Sequence, residues 1–194
     1  MARAALTLCV VSAILLVACS AIPMDQAKSE IAQRPACCKT LTDLPYKTLS
    51  PGAREAADLG ASSLVFVFPE GPAPFQAFAL PQTDSPRSLI IQSMTTTGYL
   101  PAAQYVDPII EVLNSEKKVI ATFSSLNLRY GRHKPLPGFY SYYHGATVEL
   151  PAAARFVVVR PDMSSTRSQT AYAENGNPHS VRPGAYGTVI LILS

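Results

Sequence analysis

Short apolar runs divided by turn residues dominate the chain from Cys37 onward, and they set the first reading. Candidate strands lie at Leu64–Phe68, Phe75–Leu80, Ser88–Ser93, Pro108–Leu113, Val119–Phe123, Phe139–Tyr143, Ala146–Leu150, Arg155–Arg160 and Tyr186–Leu193. Val, Ile, Phe and Tyr fill them, the residues that suit a pleated, half-buried surface. Some runs alternate: Phe66 and Phe68 share one face, and Phe75 shares a face with Ala77 and Ala79. Phe156–Val159 and Val189–Leu193 are apolar throughout, which predicts central strands buried on both faces or at an interface.

The breaks between runs have physical causes. Pro69–Pro74 interrupts the first pair of runs, since its prolines cannot donate to a ladder. Asn114–Lys117 is short enough to close a hairpin between its flanking strands. Two short helices are predicted. One starts at Ser50 with Pro51 at its first position and Gly60 past its end; the other runs from Met163, capped by Asp162, to about Glu174, where Asn175-Gly176 stops it. Many short strands with one or two short helices predict a mainly β fold, a two-sheet antiparallel β-sandwich, rather than alternating α/β.

The N-terminus reads differently. Residues 1–18 carry one charge, Arg3, followed by an apolar run that ends before Cys19, the pattern of a secretory signal. A membrane-spanning helix needs about 20 apolar residues, and this run stops short. Leu16-Val17-Ala18-Cys19 resembles the lipobox of bacterial lipoproteins. That resemblance implies cleavage after Ala18, acylation of Cys19 and, with Ser20 following, sorting to the outer membrane facing the periplasm. Several acyl chains hold a protein to a membrane where one holds it weakly. Ordinary cleavage after Ala21 is the competing reading. Residues 19–35 are small and polar and read as a flexible tether, leaving 36–194 as the folded domain.

The leader changes the cysteine count. Of four cysteines, Cys9 leaves with the signal and Cys19 takes the lipid, so Cys37 and Cys38 remain, adjacent in sequence. Neighbouring Cα atoms lie about 3.8 Å apart, closer than the roughly 4.4–6.8 Å of an unstrained bridge. A strained disulfide, two free thiols and bonds to another chain all stay open.

Chemistry is sparse. The chain has 194 residues with a net charge of +3, too little to imply nucleic acid, and the export signal argues against it as well. No G-x-S-x-G turn is present, and His133, His144 and His179 lack metal-site spacing, so neither a metal nor a cofactor is expected. Asp107 and Glu111 are the nearest approach to a glycosidase pair, and their even spacing predicts two carboxylates on one strand face. Phe139–His144 is the densest aromatic stretch; Tyr140, Tyr142 and His144 would share a face that could stack on sugar rings or pack into a core. Arg129–Lys134 gathers cations around Tyr130 and Gly131, as a solvated loop or a contact for anionic groups.

The stretch Phe66–Pro81, with its aromatic strand, Gly-containing turn and Phe-x-Ala-Phe-like continuation, resembles the maltose operon periplasmic protein (MalM) family. Leu89–Ser93, Tyr105–Asn114, Arg155–Pro161 and Gly187–Leu193 continue the resemblance, which spans roughly Cys37 to Leu193. It implies an exported envelope protein associated with carbohydrate, particularly maltose or maltodextrin, transport; together with the sparse chemistry, the expectation is a non-enzymatic protein that binds sugar or a transport component. It carries over no catalytic or ligand residues. A structural or interaction lipoprotein without sugar affinity, and a hydrolase using Asp107 or Glu111, are the rival readings.

Overall fold

The computed structural model describes residues 22–83, 86–136 and 139–194, without the side chains of 134–140. The leader and Cys19 lie outside the described residues. The chain runs through α1 (Met24–Ala32), β1 (Tyr46–Thr48), β2 (Arg54–Leu59), β3 (Val65–Phe68), β4 (Gly71–Pro74), β5 (Gln76–Ala79) and β6 (Arg87–Met94). It continues through β7 (Gln104–Tyr105), β8 (Pro108–Leu113), β9 (Val119–Phe123), β10 (Arg129–Leu136) and β11 (Phe139–Leu150). The last strands are β12 (Phe156–Pro161), β13 (Gln169–Tyr172), β14 (Pro178–Pro183) and β15 (Gly187–Leu193).

Two five-stranded sheets carry the fold, ordered β1-β5-β12-β8-β9 and β10-β11-β6-β15-β2. Every pairing within them is antiparallel except β1 with β5, which is parallel. Leu89 and Ile91 of β6, Val189 and Leu191 of β15, Ile110 and Val112 of β8 and Val157 and Val159 of β12 form one buried cluster. Alternate residues of both sheets thus meet, as in a sandwich.

The sheets differ on their other faces. On the first sheet, Ala77, Val158 and Leu113 pack beneath Phe66, Phe68 and Ala73 of the β3–β4 hairpin, so β12 is buried on both sides as its unbroken apolar run predicts. On the second sheet, β15 buries Val189, Leu191 and Leu193 but only half-covers Ile190 and Ile192. Within the chain β15 is buried on one face only, because among the described residues nothing comparable to the β3–β4 hairpin lies over its sheet; the alternative of an interface stays open.

Neither predicted helix forms. Arg54–Leu59 is β2, an edge strand paired with β15, with Ala57 and Leu59 turned to the core. Its Ala and Glu favour a helix weakly, and the packed sheet overrides a preference worth tenths of a kcal/mol per residue. Asp162 does cap, but what it caps is a turn: its Oδ1 accepts from Ser164 N at 2.9 Å and Ser164 Oγ at 2.6 Å. The chain then enters β13, and Asn175-Gly176 makes the β13–β14 hairpin turn with Gly176 at φ +83°. Pro69–Pro74 is likewise more than a break, since β4 pairs with β3 despite Pro72 and Pro74.

The expected tether is also partly structured. Ala27 and Ile31, four apart on α1, are buried against Val65 and Ala185. Cys37 and Cys38 form a disulfide with each other. Cys37 is exposed, its amide donating to Val65 O at 2.8 Å, while Cys38 packs on the cluster beneath the β3–β4 hairpin.

Two arginine–carboxylate pairs sit inside this frame. Arg167 holds Asp107 in a fork, Nη2 to Oδ1 at 2.7 Å and Nε to Oδ2 at 3.0 Å, with Ser165 Oγ adding a bond at 2.5 Å. Arg160 donates to Glu111 Oε1 from Nε at 3.1 Å and Nη2 at 2.9 Å, reaches Glu70 at 2.9 Å and lies over the Phe68 ring. A carboxylate stripped of its partner inside a protein is costly. Asp107→Asn puts an amide donor against Arg167, so urea unfolding should show a loss of about 3 kcal/mol, the low end for a buried pair because Arg167 is 36% exposed. A loss below about 1 kcal/mol would mean the fork is a surface-type pair.

Candidate functional site

Side chains of a strand leave on alternate faces, and in β11 this divides the aromatic stretch. Tyr142 and His144 do share a face, as expected, but it is the inner one: Tyr142 is 5% exposed and His144 fully buried. The side chain of Tyr140 lies outside the described residues. His144 Nε2 lies 3.2 Å from the Thr170 carbonyl of β13, and burial holds its pKa below the usual imidazole value, the Thr170 bond opposing. Tyr130 OH donates to Tyr172 O at 2.6 Å and Tyr105 OH to Arg167 O at 2.7 Å. Burial pushes the Tyr105 hydroxyl up to about 12, with the charge of Asp107 adding to it. These rings fasten the β13 segment onto the sandwich and leave no open platform for a ligand.

Tyr143, between Tyr142 and His144 in sequence, faces the other way. Its ring lies across Gly131, its partner on β10: a Cβ built there would fall 2.2 Å from Tyr143 Cζ. Gly145, two residues on, is tight but less so, with Ile91 O 3.0 Å and Tyr143 Cε2 3.3 Å from such a Cβ. An aromatic ring covering a cross-strand glycine restores the packing that the glycine lacks. His133 stacks on the far side of Tyr143, centroids 4.8 Å apart and planes 23° from parallel. The ring is therefore fixed in orientation while remaining only half-buried.

Beside it runs an open groove of about 550 Å³ on the second sheet. β10 pairs with β11 only as far as Arg129 with Gly145, whereas β11 runs on to Leu150. Ala146 and Thr147 line the groove past that point, with the Leu126–Asn127 segment opposite. Its polar side chains are Gln92, Asn127, Arg129, Tyr130, Tyr143 and Thr147. Gln92 is oriented through its carbonyl, which accepts from Arg54 Nη2 at 3.0 Å and lies 3.5 Å from His133 Nε2. The resulting surface joins a fixed aromatic ring to planar amide and guanidinium groups, the means by which proteins hold polyhydroxylated rings.

Of the cationic stretch, Arg129 and Tyr130 line this groove and Gly131 lies under the Tyr143 ring, all on strand β10 rather than in a loop. Asp107 and Glu111 are both present in the interior, each committed to its own arginine. Among the described residues no group of three or more His, Cys, Asp or Glu is placed to hold a metal ion. Among them, too, no helix is long and apolar enough to cross a membrane. No family model, curated protein or solved structure matches the chain.

The cradle makes a specific energetic prediction. Gly131→Ala forces the Tyr143 ring aside and should cost about 1–3 kcal/mol in urea unfolding, the usual range for overpacking. In a Tyr143→Ala background the same change should cost less than about 0.5 kcal/mol, since the obstructing ring is gone. Equal costs in both backgrounds would show that the ring does not rest on the glycine.

Proposed function

We propose that this is a lipid-anchored envelope protein, held by Cys19 to the periplasmic face of the outer membrane, that binds without catalysis. It takes part in carbohydrate uptake by holding a saccharide of the maltodextrin type, or a transport component carrying one. The groove beside Tyr143 carries this reading, because a rigid ring flanked by Gln92, Asn127 and Arg129 offers apolar contact at its groove-lining part and hydrogen bonds on one surface. The commitment of Asp107 and Glu111 to arginines supports binding over hydrolysis, since acid–base work needs a carboxyl group free to exchange its proton. The lipobox-like Leu16–Cys19 and the resemblance to the maltose operon periplasmic family supply the compartment and the sugar class.

A second reading rests on its own observation. β9 is an edge strand of the first sheet and exposes Val119 and Ile120, which suits an envelope interaction protein without sugar affinity.

Thermal unfolding of the intact protein across a saccharide panel tests the proposal. A ligand at one hundred times its dissociation constant adds about 2.7 kcal/mol to the native state, raising Tm by roughly 5–10 °C for a chain of this size. Such a shift with maltotriose or another saccharide is the expected result. An unchanged Tm across neutral and charged saccharides, with a crosslinked protein partner at β9, would favour the second reading instead.

A further inference from the structure

The donors and acceptors of the groove are unevenly matched. Arg129 makes no hydrogen bond or ion pair with any described residue, although its guanidinium carries five N–H donors. The carbonyl of Gln92 is taken by Arg54 and approached by His133, which leaves its amide nitrogen without an acceptor among the described residues. The side-chain amide of Asn127 and the hydroxyl of Tyr143 are likewise unengaged there. Among the described residues no Asp or Glu lines the groove.

The carboxylates on that face of the sheet lie outside the lining, Glu149 two residues beyond Thr147 and Asp58 on the edge strand β2. Asp58 is four residues from Arg54 on β2 and accepts from Thr188 Oγ1 at 2.7 Å. Glu149 is four residues beyond Gly145 on β11. Four residues of strand span about 13 Å, beyond a Debye length at physiological salt.

A neutral sugar presents hydroxyls that both donate and accept, and is best met by a mixed lining that includes carboxylates. This lining is rich in donors and holds Arg129 uncompensated. A guanidinium matches the two oxygens of a carboxylate or phosphate in a fork, a bond stronger than that between neutral partners.

We propose that the groove selects saccharides bearing an anionic group, a carboxylate or a phosphate, with Arg129 holding the anion while the sugar ring packs against the part of Tyr143 that lines the groove. The inference rests on the saccharide-binding role given above and goes beyond it, replacing the neutral maltodextrin class with a charged one. Gln92 and Asn127 then donate to the ring oxygens and hydroxyls beside the anion. Arg54, turned to Gln92, adds positive potential without entering the fork.

Isothermal titration of the intact protein separates the cases, with trigalacturonate, glucose 6-phosphate, inorganic phosphate and maltotriose as probes. At least one charged saccharide should bind ten-fold or more tighter than both maltotriose and inorganic phosphate. Arg129→Gln, a change at an exposed position, should erase that preference. Maltotriose binding as well as the charged saccharides would overturn the anion selection and leave the carbohydrate role standing. Inorganic phosphate binding as tightly as glucose 6-phosphate would show an anion site that ignores the sugar. No heat with any saccharide would defeat the inference and the role together.

Discussion

Neighbouring side chains on a strand cannot share a face, and along β11 that rule separates what holds the protein together from what it can offer to a ligand. Tyr142 and His144 turn inward, where they are almost wholly buried and His144 reaches the β13 segment. Tyr143 turns outward and lies over Gly131 with His133 behind it. A shift of one residue in the pairing of β11 with β6 would exchange these roles and put an imidazole and two phenol rings in the wrong environments. The register is held on both sides, by eight paired residues against β6 and by β10 on the other edge.

The two sheets are treated unequally, and the groove follows from that. The first sheet is covered on its outer face by the β3–β4 hairpin, with Arg160 bridging Glu70 of that hairpin's turn and Glu111 of β8. The second is covered on its inner face, while Ile90, Ile190 and Ile192 stay half-exposed on the outer. Half-buried aliphatic residues beside a fixed tyrosine make a surface that is apolar enough to shed water and polar enough to remain in it. The fork between Asp107 and Arg167 contributes from the interior, tying the chain entering β13 to the chain entering β8. Rigid support of this kind keeps a binding surface in its working geometry before a ligand arrives.

Much of the fold is legible in the chain because burial leaves a pattern of period two. Pro108–Leu113 and Val119–Phe123 form strands at the predicted limits, joined by the predicted short turn. Phe139–Tyr143 and Ala146–Leu150 read as two strands because Gly145 interrupts the apolar run, yet they are one, since that glycine serves the Tyr143 ring. Arg54–Leu59 and Gln169–Tyr172 were hidden by helix-favouring residues and cap-like flanks, local preferences that sheet pairing outweighs. Helix α1 was hidden for the opposite reason, its apolar face being only Ala27 and Ile31. The groove was the least legible feature. Alternation shows that Tyr142 and Tyr143 face apart without saying which is outside, and the cue that decides it, glycines at 131 and 145, has meaning only once their strands are paired.

Hydroxyl-radical footprinting read by peptide mass spectrometry, with and without trigalacturonate, tests the division of β11 most directly. The account predicts strong labelling of Tyr143 and almost none of Tyr142 in the free protein, with Tyr143 protected when the saccharide is present. Equal labelling of the two tyrosines, or a Tyr143 signal that the saccharide leaves unchanged, would contradict it.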